Sequence, residues 1–167
     1  EGKAVLFKRF ADVDSIDLEL DTEDPEKFIE AVALLEPSFG GINLEDIAAP
    51  ECFIIEQALR ERMNIPVMHD DQHGTAIIAA AGLINACHLT GRDLKDVKMV
   101  VNGAGASTLA CTALIKAIGI PNDQVIVCDR TGPIHKDRKD LDQWKSAHAV
   151  DTDARSLEEA LEGADIF

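Results

Sequence analysis

Apolar and polar residues alternate over Ser15–Leu20 (SIDLEL), the period-two pattern of a half-buried strand. The period then changes to that of a helix. Asp24 is a capping residue, Pro25 fits a first helical turn, and Phe28, Ile29, Val32 and Leu35 fall on one apolar face before Pro37 stops the run. Gly40–Asp46 (GGINLED) predicts a short strand that finishes on two acids, Glu45 and Asp46. A second helix is expected from Ala49-Pro50-Glu51 to about Met63, with Phe53, Ile54, Gln57, Ala58 and Arg62 at helical spacing. Ile65–Met68 predicts another short strand, and the polar segment His69–His73 (HDDQH) lies at its C-terminal end.

The second half begins with a long apolar helix, Gly74 to about Leu89, expected to be buried on most sides and closed by Thr90-Gly91. Val97–Val101 predicts a strand, Gly103–Gly105 a tight turn, and Ala106–Ile118 a helix ended by Gly119. Gln124–Cys128 is the next strand, finished by Asp129, and Ala164–Phe167 reads as the opening of another. Strands alternating with helices of ~10–15 residues predict an α/β fold, parallel sheets with helices on both faces. The natural division lies near residues 72–78, giving a first lobe over 1–74 and a second over 75–167.

A chain of 167 residues can hold one good core or two small lobes. With 46% apolar and 28% charged residues it has the composition of a soluble globular protein. The net charge of −15 argues against a nucleic-acid or anionic-membrane partner, since both select Lys and Arg. No apolar run is long and charge-free enough to span a bilayer. Cys52, Cys87, Cys111 and Cys128 form no CxxC pair, which argues against a thiolate zinc site and for reduced thiols in a cytoplasmic protein. A start on Glu1 without Met, and a finish inside a predicted strand, are expected of a piece from a longer chain.

Three features carry candidate chemistry. In Val97–Ala110 (VKMVVNGAGASTLA) a buried strand runs through Gly103, Ala104 and Gly105 into a helix that starts at Ala106 and Ser107. Such a turn brings backbone N–H groups close to a pyrophosphate at the helix N-terminus, although the third glycine position of the dinucleotide fingerprint is Thr108. Asp129 stands where a ribose-binding acid belongs, which favours NAD; Arg130, with Lys136 and Arg138 nearby, fits the 2′-phosphate of NADP, and the choice stays open. The second feature is the acids Glu45, Asp46, Asp70 and Asp71, all at C-terminal strand ends, where ligands bind in parallel sheets. Clustered carboxylates need a cation or protons, and oxygen donors without thiolates suit Mg²⁺ or Mn²⁺; solvated strand ends are the plain alternative. His69 and His73 read as supporting or core residues. The third feature is Lys3, which would serve as a base if a cleft lowered its proton affinity and is otherwise a surface charge.

The strings EGKAVLFK, EPSFGGINLEDIAAPECFIIEQALRERMNIPVMHDDQHGTA and VVNGAGAS, in that order, closely resemble the malic enzyme family in its bacterial branch, and the likeness extends over essentially the whole chain. The resemblance implies a malic lobe followed by a Rossmann-type lobe. It also implies oxidative decarboxylation of malate to pyruvate and CO₂ with NAD or NADP and Mg²⁺ or Mn²⁺, in a homo-oligomer. Matched position by position, it assigns Glu45, Asp46 and Asp71 to the metal, Lys3 to proton acceptance, and Gly103 to Ser107 to the dinucleotide phosphates. Asp70 is then a supporting residue. The family's proton donor to C3 is a tyrosine upstream of the lysine, and this sequence contains no tyrosine. A metal-independent Rossmann dehydrogenase and a non-catalytic dinucleotide-binding regulatory module are the competing readings.

Overall fold

The first core forms where two helices cover a short parallel pair of strands. In this computed structural model, which describes residues 2–167, helix α1 spans Gly2–Ala11 and α2 spans Pro25–Ala33. Asp24 caps α2 by accepting the N–H of Glu26 at 3.0 Å, and Ile29 and Val32 are its buried residues. Strand β1 (Ile42–Leu44) pairs in parallel with β2 (Val67–His69), and helix α3 (Glu51–Arg62) connects them. Ile29, Val32, Leu44, Ile55, Leu59, Met63 and Val67 form this core.

One expectation fails in this half. Ser15–Leu20 forms no strand: the alternation finds no neighbouring strand among the described residues, and Ile16 and Leu18 stay exposed. Helix α3 falls within the segment expected to be helical; it buries Cys52, Ile55, Glu56 and Leu59 and leaves Ile54 and Gln57 in solvent.

Helix α4 spans Asp70–Thr90 and therefore begins four residues before the expected Gly74. It takes Asp70 and Asp71 into its first turn, where unpaired backbone N–H groups favour carboxylates. Only one stripe of α4 is buried, Gln72, Ala76, Ala80, Leu83 and Cys87, while Ile77, Ile78 and Leu89 are exposed, so it is not covered on most sides. Gly91, at φ 69°, closes it in the left-handed region that suits glycine.

The second sheet joins β3 (Met99–Asn102) in parallel to β4 (Val125–Asp129), and β4 in antiparallel fashion to the short β5 (Gly132–Pro133). Ile166 bridges Met99 in parallel, so the segment read as a strand opening lies against β3. Met99 and Val125 pack beneath Leu83 and Cys87 of α4 and Ile115 of α5 (Ala106–Ile118). Val100, Ile126 and Cys128 face the other way, against Ala160 of α7 (Leu157–Leu161). This is the α/β arrangement with helices on both faces of a mainly parallel sheet. Phe53 of α3 stacks on Trp144 of α6 (Gln143–Ser146), ring centroids 5.0 Å apart, which ties the first half of the chain to the loop after β5. Among the described residues no helix is long and apolar enough to cross a membrane.

Candidate active site at the strand ends

The register of β1 against β2 places Leu44 opposite His69. Just beyond the strands the Asp46 N–H meets Asp71, and Glu45 and Asp70 share one lysine. Lys3, in the first turn of α1, reaches this edge. Its ammonium hydrogen-bonds Asp70 Oδ2 and lies 3.4 Å from Glu45 Oε2. Glu45 Oε2 also accepts the Asn43 amide at 2.9 Å. Asp46 sits at φ 57°, a left-handed conformation that Asp tolerates, and its N–H donates to Asp71 Oδ2 at 2.8 Å. The hydrogen bond to Asp70 is the main reason the Lys3 ammonium is held above its ordinary pKa; slight burial opposes it, and the charges of Asp70 and Glu45 add to it.

Behind this edge lies a buried polar network that joins His69 and His73, read from the sequence as supporting or core residues, to Glu56 and Gln72, which the sequence analysis did not single out. His69 is completely buried, with Glu56 and Gln72 almost so. Glu56 Oε1 accepts the backbone N–H of His69 at 3.1 Å and lies 2.7 Å from His73 Nε2. Gln72 Nε2 is 3.1 Å from His69 Nδ1, and His69 Nε2 is 3.4 Å from Asp71 Oδ2. The signal for Glu56 was present: it lies four residues after Cys52 and three before Leu59, a charge on the apolar stripe of α3.

The second predicted site forms where β3 turns into α5. Gly103 has φ 127°, and its N–H bonds the Cys128 carbonyl at 2.8 Å, so the turn leans on β4. Gly105 occupies the N-cap of α5 without a side-chain hydrogen bond, no acid stands in the first turn, and a Cβ at Gly105 would meet nothing within 4 Å. Ala106 and Ser107 open the helix. Such an uncapped N-terminus has backbone amides to offer an anion.

At the end of β4, Asp129 is held by neighbouring cations. Its carboxylate takes both Arg138 guanidinium nitrogens, at 2.8 and 3.0 Å, and the N–H of Thr131 at 2.9 Å, with Lys145 Nζ at 3.4 Å. Burial alone would raise the Asp129 pKa, but these hydrogen bonds and positive charges hold it below the usual carboxylate range. The same guanidinium holds the Asp140 carboxyl down to about 2. Arg130 is exposed beside them.

Among the described residues, no three His, Cys, Asp or Glu side chains stand as a ready-made metal cage. Glu45, Asp46 and Asp71 are carboxylates, the oxygen-donor type a hard dication prefers; the Asp46 N–H meets Asp71, and Lys3 pairs with Glu45 and Asp70.

The sequence matches "Malic enzyme, NAD binding domain" over residues 72–165 and "Malic enzyme, N-terminal domain" over residues 22–60. It is 68% identical, over the whole chain, to 22% of the NADP-dependent malic enzyme of Rhizobium meliloti. It is 56% identical, again over the whole chain, to 22% of the NADP-dependent malic enzyme of Escherichia coli. The crystal structure of the NAD-dependent malic enzyme from Thermotoga maritima superposes on 99% of the chain with a TM-score of 0.91 and 45% identity, the match covering 45% of that protein. The chain thus spans about a fifth of the length of these two curated relatives.

Proposed function

The chain belongs to the malic enzyme family, and on that footing we propose that it forms the central part of an enzyme that oxidatively decarboxylates malate to pyruvate and CO₂ while reducing NAD(P). The observation that carries the reading is the meeting of Lys3 with the acid pairs Glu45–Asp46 and Asp70–Asp71 at the ends of two parallel strands. Residues 1–74 form the substrate and metal lobe and residues 75–167 the dinucleotide lobe; the core clusters before Val67 and after Leu83 support this division. Glu45, Asp46 and Asp71 would hold Mg²⁺ or Mn²⁺. Bound there, the dication supplies Lewis acidity toward substrate oxygens, and a bound nicotinamide supplies the hydride acceptor.

The chain's own residues do the rest. Lys3 accepts the C2 hydroxyl proton at Nζ, which requires its neutral amine and therefore release from Asp70 and Glu45. Asp70, within hydrogen-bond reach of Nζ, aims that amine and can take up its proton. The Gly103–Ser107 turn and the α5 N-terminus bind the pyrophosphate. With both Asp129 oxygens engaged by Arg138 and Lys145, and Arg138 shared with Asp140, the β4 end lacks a free ribose acceptor. That arrangement, together with exposed Arg130, favours the 2′-phosphate of NADP. The free thiols of Cys52, Cys87, Cys111 and Cys128 support a cytoplasmic location, and assembly as a homo-oligomer is part of the same reading.

A malate oxidation assay on the full-length protein tests this. Activity is expected with Mg²⁺ or Mn²⁺, to be lost on chelation, and to have a higher kcat/KM for NADP than for NAD. Lys145→Gln should lower the NADP-to-NAD ratio of kcat/KM on the order of ten-fold, the effect of one hydrogen bond to a charged group. Turnover that survives complete chelation overturns the metal assignment.

Gly74→Ala gives a sharper local test. A Cβ at Gly74 would run into the Asp70 carboxylate, 2.9 Å from its Cγ. The helix itself gains, since Ala exceeds Gly in an α-helix interior by about 1 kcal/mol. The expected outcome is unchanged or raised thermal stability with kcat reduced on the order of ten-fold, as Asp70 leaves Lys3.

A further inference from the structure

We infer that His69 is a positioning residue, a fixed donor that sets the orientation of the Asp71 carboxylate through its Nε2–H. The inference rests on the proposed role of Asp71 as a metal ligand and adds to it the group that holds this ligand in place.

Three observations converge. First, His69 is fully buried at the junction of β2 and α4, so both ring nitrogens must find protein partners. Second, Nε2 has no aligned hydrogen bond, and Asp71 Oδ2 is the acceptor 3.4 Å away. A buried donor left unpaired is unfavourable, so a small rotation of Asp71 toward the ring is favoured. Third, Nδ1 lies 3.1 Å from the amide nitrogen of buried Gln72, which can only donate. Gln72 therefore keeps Nδ1 as an acceptor and the proton on Nε2, facing the carboxylate. The opposite tautomer would aim a lone pair at Asp71 and leave two donors facing each other at Gln72. Both ends of the ring select the same tautomer.

The scaffold keeps His69 from moving. Its backbone N–H is tied to Glu56 of α3, and Glu56 also contacts His73 one turn along α4. On the other side of the carboxylate, the Asp46 N–H holds the same oxygen at 2.8 Å. Asp71 is thus approached by one donor from the β1 end and one from the buried ring. A carboxylate with its rotamer set in advance binds a cation without an ordering cost, and loss of such supporting hydrogen bonds typically weakens metal affinity about 10- to 100-fold.

The test measures Mn²⁺ affinity of the full-length protein by calorimetry, without malate or cofactor. His69→Met fills the site without a donor, and His69→Gln places an amide N–H near the position of Nε2. The expected result is a Kd raised about 10-fold or more by His69→Met, substantial recovery in His69→Gln, and NADP affinity unchanged in both. Gln72→Met, which leaves His69 in place but frees its tautomer, should weaken Mn²⁺ binding by a smaller factor and serves as the readout if His69→Met does not fold. Wild-type Mn²⁺ affinity in folded His69→Met overturns the inference. Equal losses in His69→Met and His69→Gln overturn it as well, because the donor would then not matter. A wild-type protein that binds no Mn²⁺ instead overturns the metal reading beneath it.

Discussion

Lys3→Ala is expected to lower malate turnover by about 10²–10⁴-fold, the usual contribution of a positioned acid–base group, with NADP binding and thermal stability little changed. The stability half follows from exposure. Lys3, Glu45 and Asp70 side chains are 35%, 32% and 24% accessible, so their ion pairs are those of a partly hydrated surface. Such pairs contribute about 0–1 kcal/mol. Alanine alone cannot separate proton transfer from charge balance, because it removes both. Lys3→Arg can: guanidinium keeps the positive charge and can still pair with Asp70 and Glu45, but it does not lose its proton in a protein. A base role predicts that Lys3→Arg is as inactive as Lys3→Ala while folding and NADP affinity match wild type. Wild-type kcat in Lys3→Arg would show that Lys3 acts only as a counter-charge.

Much of this site was legible because its parts are local. The acids Glu45, Asp46, Asp70 and Asp71 follow apolar runs, and parallel strands point their C-terminal ends at one edge, so the pattern places both pairs together. The fingerprint turn at Gly103–Ser107 is local in the same sense. What the sequence did not reveal depends on partners distant in the chain. The sequence left the β4 end open between a ribose acid at Asp129 and a phosphate site at Arg130, Lys136 and Arg138; that Arg138 and Lys145 hold Asp129 itself across the turn after β5 is seen only in the fold. The alternation in Ser15–Leu20 describes a half-buried strand, yet no neighbouring strand pairs with it among the described residues. Helix α4 illustrates a different limit. Its hydropathy suggested burial on most sides, whereas contact with β2 and α5 covers a single stripe. Composition reports how apolar a helix is; the number of neighbours decides how much of it is covered.

Asp71→Asn is the second large effect, and its value lies in what the substitution preserves. Asparagine keeps the size of the side chain and a carbonyl oxygen that can accept the Asp46 N–H, now 2.8 Å from Asp71 Oδ2. The left-handed turn at Asp46 and the start of α4 should therefore survive. The charge does not survive, and nor does the acceptor strength felt by His69 Nε2 at 3.4 Å. At an effective dielectric constant of ~20, even two unit charges 4 Å apart interact by about 4 kcal/mol, and the easier desolvation of a neutral amide offsets only part of losing one such charge beside a dication. Mn²⁺ affinity is then expected to fall on the order of a hundred-fold. Turnover at fixed Mn²⁺ should fall at least as far, and raising the Mn²⁺ concentration should restore part of it. Asp70→Asn offers the contrast, because Asp70 holds Lys3 and is not assigned to the ion: it should reduce kcat while leaving Mn²⁺ affinity within a few-fold of wild type. If calorimetry instead finds Mn²⁺ affinity unchanged in Asp71→Asn and reduced in Asp70→Asn, the two neighbouring acids exchange roles, and the ion sits on the Lys3 side of the edge.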